Sequence, residues 1–103
     1  MTENIIHELK LIIKELFPEF EGIYFYGSRM KGNSTTYSDY DFALIFNRKV
    51  DRKFRDKIIE AIYELELKYD VLLDVKVYSS NDIQNPITPF RSNIKTEGVF
   101  YGV

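Results

Sequence analysis

The chain has 103 residues, enough for one domain spanning 1–103 with a core of its own. Hydrophobic residues make up 45% and charged residues 29%, an ordinary globular mix, while the absence of cysteine removes disulfide scaffolds, thiol nucleophiles, iron–sulfur clusters and Cys-ligated zinc. The net charge of −2 lacks the basic field of a nucleic-acid binder, so no direct nucleic-acid contact is expected.

The lone histidine, His7, leaves no multi-His metal site, so any chemistry must run on carboxylates, hydroxyls, lysines, arginines and backbone amides. No apolar run approaches the ~18 residues of a membrane span. The N-terminal MTENIIHELK carries acids where a signal peptide carries bases, so no membrane association and a cytoplasmic location are expected.

Ile5, Leu9, Ile12 and Leu16 recur at helical spacing, widened by Ile6, Ile13 and Phe17 into one arc of about 140°, with Pro18 closing the helix. His7 falls about 150° from the centre of that arc, on the wet side. Gly22–Tyr26 reads as a buried first strand. Gly27, Ser28 and a polar stretch RMKGNSTTYS suit a turn and loop. In Asp39–Phe46 the residues alternate: Asp39, Asp41, Ala43 and Ile45 point one way, Tyr40, Phe42, Leu44 and Phe46 the other.

Asp51 is placed to cap a long helix reaching about Tyr69, with Phe54, Ile58, Ala61, Ile62 and Leu65 as its apolar stripe. A third strand, Val71–Tyr78, sets Val71, Leu73, Val75 and Val77 against the core and leaves Asp74, Lys76 and Tyr78 on the other face. Thr88-Pro89 opens a final short helix expected to reach Tyr101, weakened by Gly98. The order predicts a small α/β (α+β) domain, a mixed sheet of three or more strands with helices mainly on one face and the other partly open.

Three acids belong to that open face: Asp39 and Asp41 on one strand and Asp74 on another. If the strands are neighbours, the carboxylates converge, repel one another and call for a cation. Oxygen donors suit Mg²⁺ or Mn²⁺, and magnesium's habit of sharing carboxylates with phosphates points to a nucleotide. Gly27 allows backbone to approach a phosphate, Ser28 adds a hydroxyl, and Arg29 and Lys31 lie near enough to screen a triphosphate. Taken singly, an Asp-x-Asp on a wet strand face or a Gly-Ser after a strand is ordinary. The conjunction is not, because an aspartate between Leu73 and Val75 breaks the strand pattern, and such local conflicts cluster at functional sites.

The stretch Gly27 to Asp41, GSRMKGNSTTYSDYD, resembles the GS-x10-DxD signature of the DNA polymerase beta-like nucleotidyltransferases. Within that superfamily it is similar to the minimal nucleotidyltransferase (MNT) group, whose pattern runs GSxARGxxxxxSDxDL. Gly27, Ser28, Gly32, Ser38, Asp39 and Asp41 match; Met30, Lys31 and Phe42 replace Ala, Arg and Leu. The likeness extends to Asp74 in LLDVKVY and to the ending NIKTEGVFY.

The resemblance implies a nucleotidyltransferase-like fold and nucleotidyl transfer from a nucleoside triphosphate. Asp39, Asp41 and Asp74 would be catalytic and hold two magnesium ions, with Asp74 as base or orienting group and Gly27 and Ser28 on the β- and γ-phosphates. It further implies an antitoxin that moves AMP from ATP onto a tyrosine of a HEPN-family RNase toxin. Few residues follow the third strand, so acceptor recognition is expected from another chain or a second copy. The alternatives are an antitoxin that neutralises its partner by binding alone, and nucleotidyl transfer to a small molecule.

The basic segment Arg48–Lys57 reads as a solvated helix start, or as a contact surface for an acidic partner or triphosphate. Tyr24, Phe25, Phe54 and Phe100 are expected in the core. Tyr37, Tyr40, Tyr78 and Tyr101 are candidates for a partner patch or for stacking an adenine.

Overall fold

The computed structural model describes residues 2–32 and 39–103, with Ser28 described by its backbone only. Its elements in chain order are α1 (Thr2–Leu16), β1 (Phe20–Tyr26), α2 (Gly27–Lys31), β2 (Tyr40–Phe46), α3 (Arg52–Tyr69), β3 (Leu73–Ser79), α4 (Ser80–Gln84), α5 (Pro89–Glu97) and β4 (Val99–Gly102). Among the described residues the sheet has four strands in the order β3-β2-β1-β4. β1 runs antiparallel to both neighbours, whereas β2 and β3 are parallel, joined by the crossover through α3.

The capping chemistry sets the helix ends. Asp51 accepts the Phe54 N–H at 2.8 Å, satisfying one of the donors that a helix start leaves open. The other end of α3 closes on Asp70 in the left-handed region, at φ 52°. Thr88 accepts the Arg91 N–H, and Pro89 takes the first turn of α5.

The two long helices bury their stripes against one face of the sheet, as the sequence predicts, except that Leu16, at the last position of α1, is exposed. Ile5, Leu9 and Ile13 of α1 and Ile58 and Ile62 of α3 meet Phe42, Leu44 and Phe46 of β2. Phe54 stands edge-on to Phe46, ring centroids 4.8 Å apart. His7 is exposed, and so are the cations Arg52, Lys53, Arg55 and Lys57 of the basic segment. Arg48 of that segment lies 3.9 Å over the Phe54 ring, so it serves the fold.

The expected final helix is two elements. α5 stops at Glu97, and Gly98, extended at φ −75° and ψ 158°, gives its N–H to Ile94 before the chain enters β4 beside β1. Phe100, expected in the core, is 49% exposed on that edge strand and covers Tyr24 at 4.8 Å. The turn expected after Gly27 begins instead as the short α2. The polar connection after β3 holds α4, opened by a capping box between Ser79 and Asp82.

The second face is not bare. Ala43, Ile45, Ile83 and Ile94 are buried yet stand apart from the main core, where α4 and α5 lie on the sheet. Beyond that small roof lie Asp41, Asp74 and Lys76.

Candidate active site

Pairing of β2 with β3 decides the site. In the parallel register Asp41 sits opposite Asp74, and Tyr26 of β1 sits opposite Asp41, so one row crosses three strands. Both aspartates are half-buried on the face away from α1 and α3. The Asp41 carboxyl is held above its ordinary range, first by burial, then by repulsion from Asp74 and Asp39 and by a hydrogen bond shared with Asp74, with Lys76 partly offsetting these. Lys76, two residues along the same face, brings its Nζ to 3.0 Å from Asp74 Oδ1.

Gly27 supports the row from the side. Its φ is +84°, a conformation that residues with a side chain rarely adopt, and a Cβ there would lie 2.1 Å from Asp41 Oδ2. The glycine therefore lets the backbone entering α2 press directly on the carboxylate. The buried Tyr26 hydroxyl has no hydrogen-bond partner among the described residues. Burial, and then the charges of Asp41 and Asp74, push its ionisation well above the usual phenol range.

The structure brings together Gly27, Asp41 and Asp74 among the sequence-predicted residues. Asp39 is exposed immediately before β2, near enough to add to the repulsion on Asp41. Among the described residues no three His, Cys, Asp or Glu side chains form a group that could hold a metal ion, so Asp41 and Asp74 meet as a pair. Two apposed carboxylates remain the hard-oxygen donors that a divalent cation takes. Ser38 and Tyr37 lie outside the described residues, as does the Ser28 hydroxyl.

Arg29 lies against Tyr40, its Nη1 donating to the Tyr40 hydroxyl at 3.4 Å. Its guanidinium lies 4.3 Å over the Tyr40 ring, and Tyr40 belongs to the core on the opposite face of β2. Lys31 reaches Glu97 of α5 at 3.5 Å. Of the tyrosines considered for stacking a base, Tyr40 is only 3% exposed and Tyr78 lies beneath Arg91, 5.1 Å from its ring. Tyr26 was the residue that sequence reasoning passed over. Its signal was alternation, because Phe25 faces the core and Tyr26, next to Gly27, therefore faces the acids.

Comparison with known proteins accords with this geometry. The profile of the family described as nucleotidyltransferase domain matches residues 6–101. The "Probable protein adenylyltransferase MntA" of Haemophilus influenzae is 39% identical over 67 residues, which are 64% of this chain and 58% of that protein. The chain thus aligns with less than two thirds of that relative's length. Among solved structures, a toxin–antitoxin with AMP-PNP superposes with a TM-score of 0.67 at 23% identity, over all of this chain and 75% of that one. A mutant of the toxin–antitoxin MntA-HpeT gives 0.66 at 21% identity over the same shares. At such identities the likeness is one of fold.

Proposed function

The chain belongs to the nucleotidyltransferase domain family, and we propose that it is a protein adenylyltransferase, the antitoxin of a toxin–antitoxin pair. It moves AMP from ATP to a tyrosine hydroxyl of a HEPN-family toxin. The observation that carries this reading is the row Asp41–Asp74 beside Gly27: two carboxylates forced together at the point where backbone comes closest. The printed name of the Haemophilus influenzae relative and the toxin–antitoxin complexes among the fold neighbours support the partner class.

In this reaction the acceptor oxygen bonds to the α-phosphorus of ATP, the bond from that phosphorus to the β-bridging oxygen breaks, and pyrophosphate leaves. Gly27, with Ser28, is assigned to the β- and γ-phosphates. Asp74 takes or orients the acceptor proton, with Lys76 fixing its Oδ1. Asp41 and Asp74, joined by Asp39, would hold magnesium. The bound ions would supply a lowered pKa at the acceptor hydroxyl and charge neutralisation on the triphosphate. Burial, and then repulsion from Asp74 and Asp39, already lift Asp41, so a cation is favoured there. The remainder of the rate comes from positioning two substrates on a rigid sheet.

The deciding experiment is transfer of label from α-³²P-ATP with Mg²⁺ to the partner toxin, with Asp41→Ala run beside the wild type. Label on the toxin that is lost in the variant and without Mg²⁺ supports the reading. A stable complex with no label overturns it and leaves neutralisation by binding.

A further inference from the structure

We propose that Lys76 decides in what form the site takes its divalent cation: it disfavours the bare ion and favours the ion carried on a triphosphate. The inference rests on the nucleotidyltransferase reading and adds to it a residue that sets specificity for the charge of the incoming complex.

Lys76 follows Asp74 by two positions on β3, so the two side chains share the face that Asp41 also occupies. Its Nζ lies 3.0 Å from Asp74 Oδ1. Opposite it on β2 stands Ala43, a buried methyl group with no polar atom to draw the ammonium elsewhere. An aspartate and a lysine two apart on a wet strand would be an ordinary ion pair, worth little. Here the aspartate is one of two apposed carboxylates, and the ammonium acts on both. At Asp41, where burial first and then repulsion from Asp74 and Asp39 favour the protonated form, Lys76 is a charge that pulls the other way. The side chains of Lys76 and Asp74 are 43% and 42% exposed, so the pair is neither sealed in nor fully screened.

The sign of that charge separates two ligands. A bare divalent cation that approaches Asp41 and Asp74 meets an ammonium already on Asp74 Oδ1, and its affinity falls. An ion bound to a triphosphate belongs to a complex of net negative charge, and the same ammonium attracts it. Without Lys76, the acids of this site would take free Mg²⁺ or Mn²⁺ as hard-oxygen donors do. With it, ion and triphosphate favour each other's binding, a positive coupling between two ligands. One unit charge a few ångströms away in a half-exposed site is worth about ten-fold in affinity, between the limits for water and for a protein interior.

The test uses wild type, Lys76→Met and Lys76→Arg. Binding of Mn²⁺ alone is read from the electron paramagnetic resonance of the free ion, and binding of Mn²⁺ with AMP-PNP by calorimetry. Lys76 is half-exposed, so its replacement leaves the core intact. Lys76→Met is expected to bind Mn²⁺ alone about ten-fold more tightly and the Mn²⁺–AMP-PNP complex about ten-fold more weakly. Lys76→Arg keeps the charge and should follow wild type on both. An unfolded chain would lose both ligands, so it cannot mimic opposite shifts. If Lys76→Met moves both affinities the same way, or neither, the role given to Lys76 is wrong and the nucleotidyltransferase reading stands. If wild type binds neither probe, both fall together.

Discussion

β2 presents two faces built to different rules. Phe42, Leu44 and Phe46 are fully buried against α1 and α3, in a cluster of aliphatic and aromatic side chains. One residue away, Asp41 sits against Asp74, Gly27 and a tyrosine hydroxyl with no partner among the described residues, under a roof of two short helices. The first face gains free energy from burial. The second gives some up by burying a carboxylate and crowding like charges on it, as the proposed site would require. Substitutions on the two faces should therefore separate stability from activity.

The largest effect is expected from the core face. Phe42→Ala removes a ring with no exposed surface, a change that costs about 3–5 kcal/mol, a large share of the stability of a domain this size. Urea unfolding measures it; a loss under about 1 kcal/mol would mean the two faces are not so different.

Asp41→Asn should do the reverse. Transfer should fall about a thousand-fold, equivalent to about 4 kcal/mol at the transition state, while the melting temperature of the free protein rises. The sign follows from the raised carboxyl: the folded state holds its proton to higher pH than the unfolded chain does. Stability from this group is present at low pH and is lost as pH rises from the ordinary aspartate value of 3.8 through the folded value. The variant's advantage should thus be full at neutral pH and vanish below about pH 3.8. A variant less stable than wild type at pH 7 would sink the account of strain.

Gly27→Ala tests the wall between the faces at smaller scale. A side chain at φ +84° costs about 1–2 kcal/mol by conformation alone, and its Cβ would displace the Asp41 carboxylate. Transfer should fall further than stability, because the displaced atom is the reacting site's own. Equal losses in both would argue that Gly27 only shapes the turn.

How much of this contrast the sequence announced depends on the element. α3 was legible from Asp51 to Tyr69 because a cap and a long apolar stripe agree. The alternation of β2 sorted its two faces residue by residue. What stayed hidden was short or relational. β4 has four residues, too few for alternation to register, and it follows α5 so closely that Gly98 read as a weak helical position, not as the break between helix and strand. α2 and α4 have five residues each, below any helical period worth reading, although Ser79 and Asp82 already spelled a capping box. The signature marked Asp39 and Asp41, and the likeness beyond it Asp74, but the meeting of Asp41 with Asp74 depends on the parallel register of β2 and β3.

The smallest expected effect lies behind the core face, where α1 and α3 are tied at the surface. Glu8 accepts hydrogen bonds from Lys68 Nζ and from the Tyr69 hydroxyl, and these hold its carboxyl below the ordinary value of 4.5. A depressed carboxyl contributes stability above the unfolded value and loses it as pH falls through the folded one. Glu8→Gln should therefore lower the melting temperature slightly at pH 7, less so in high salt, and make no difference once the pH is well under 4.5. Opposite pH signs at Glu8 and Asp41, in one chain with one melting transition, would separate a carboxylate placed for the fold from one placed for a ligand. The same sign at both would mean that Asp41 is merely another surface acid.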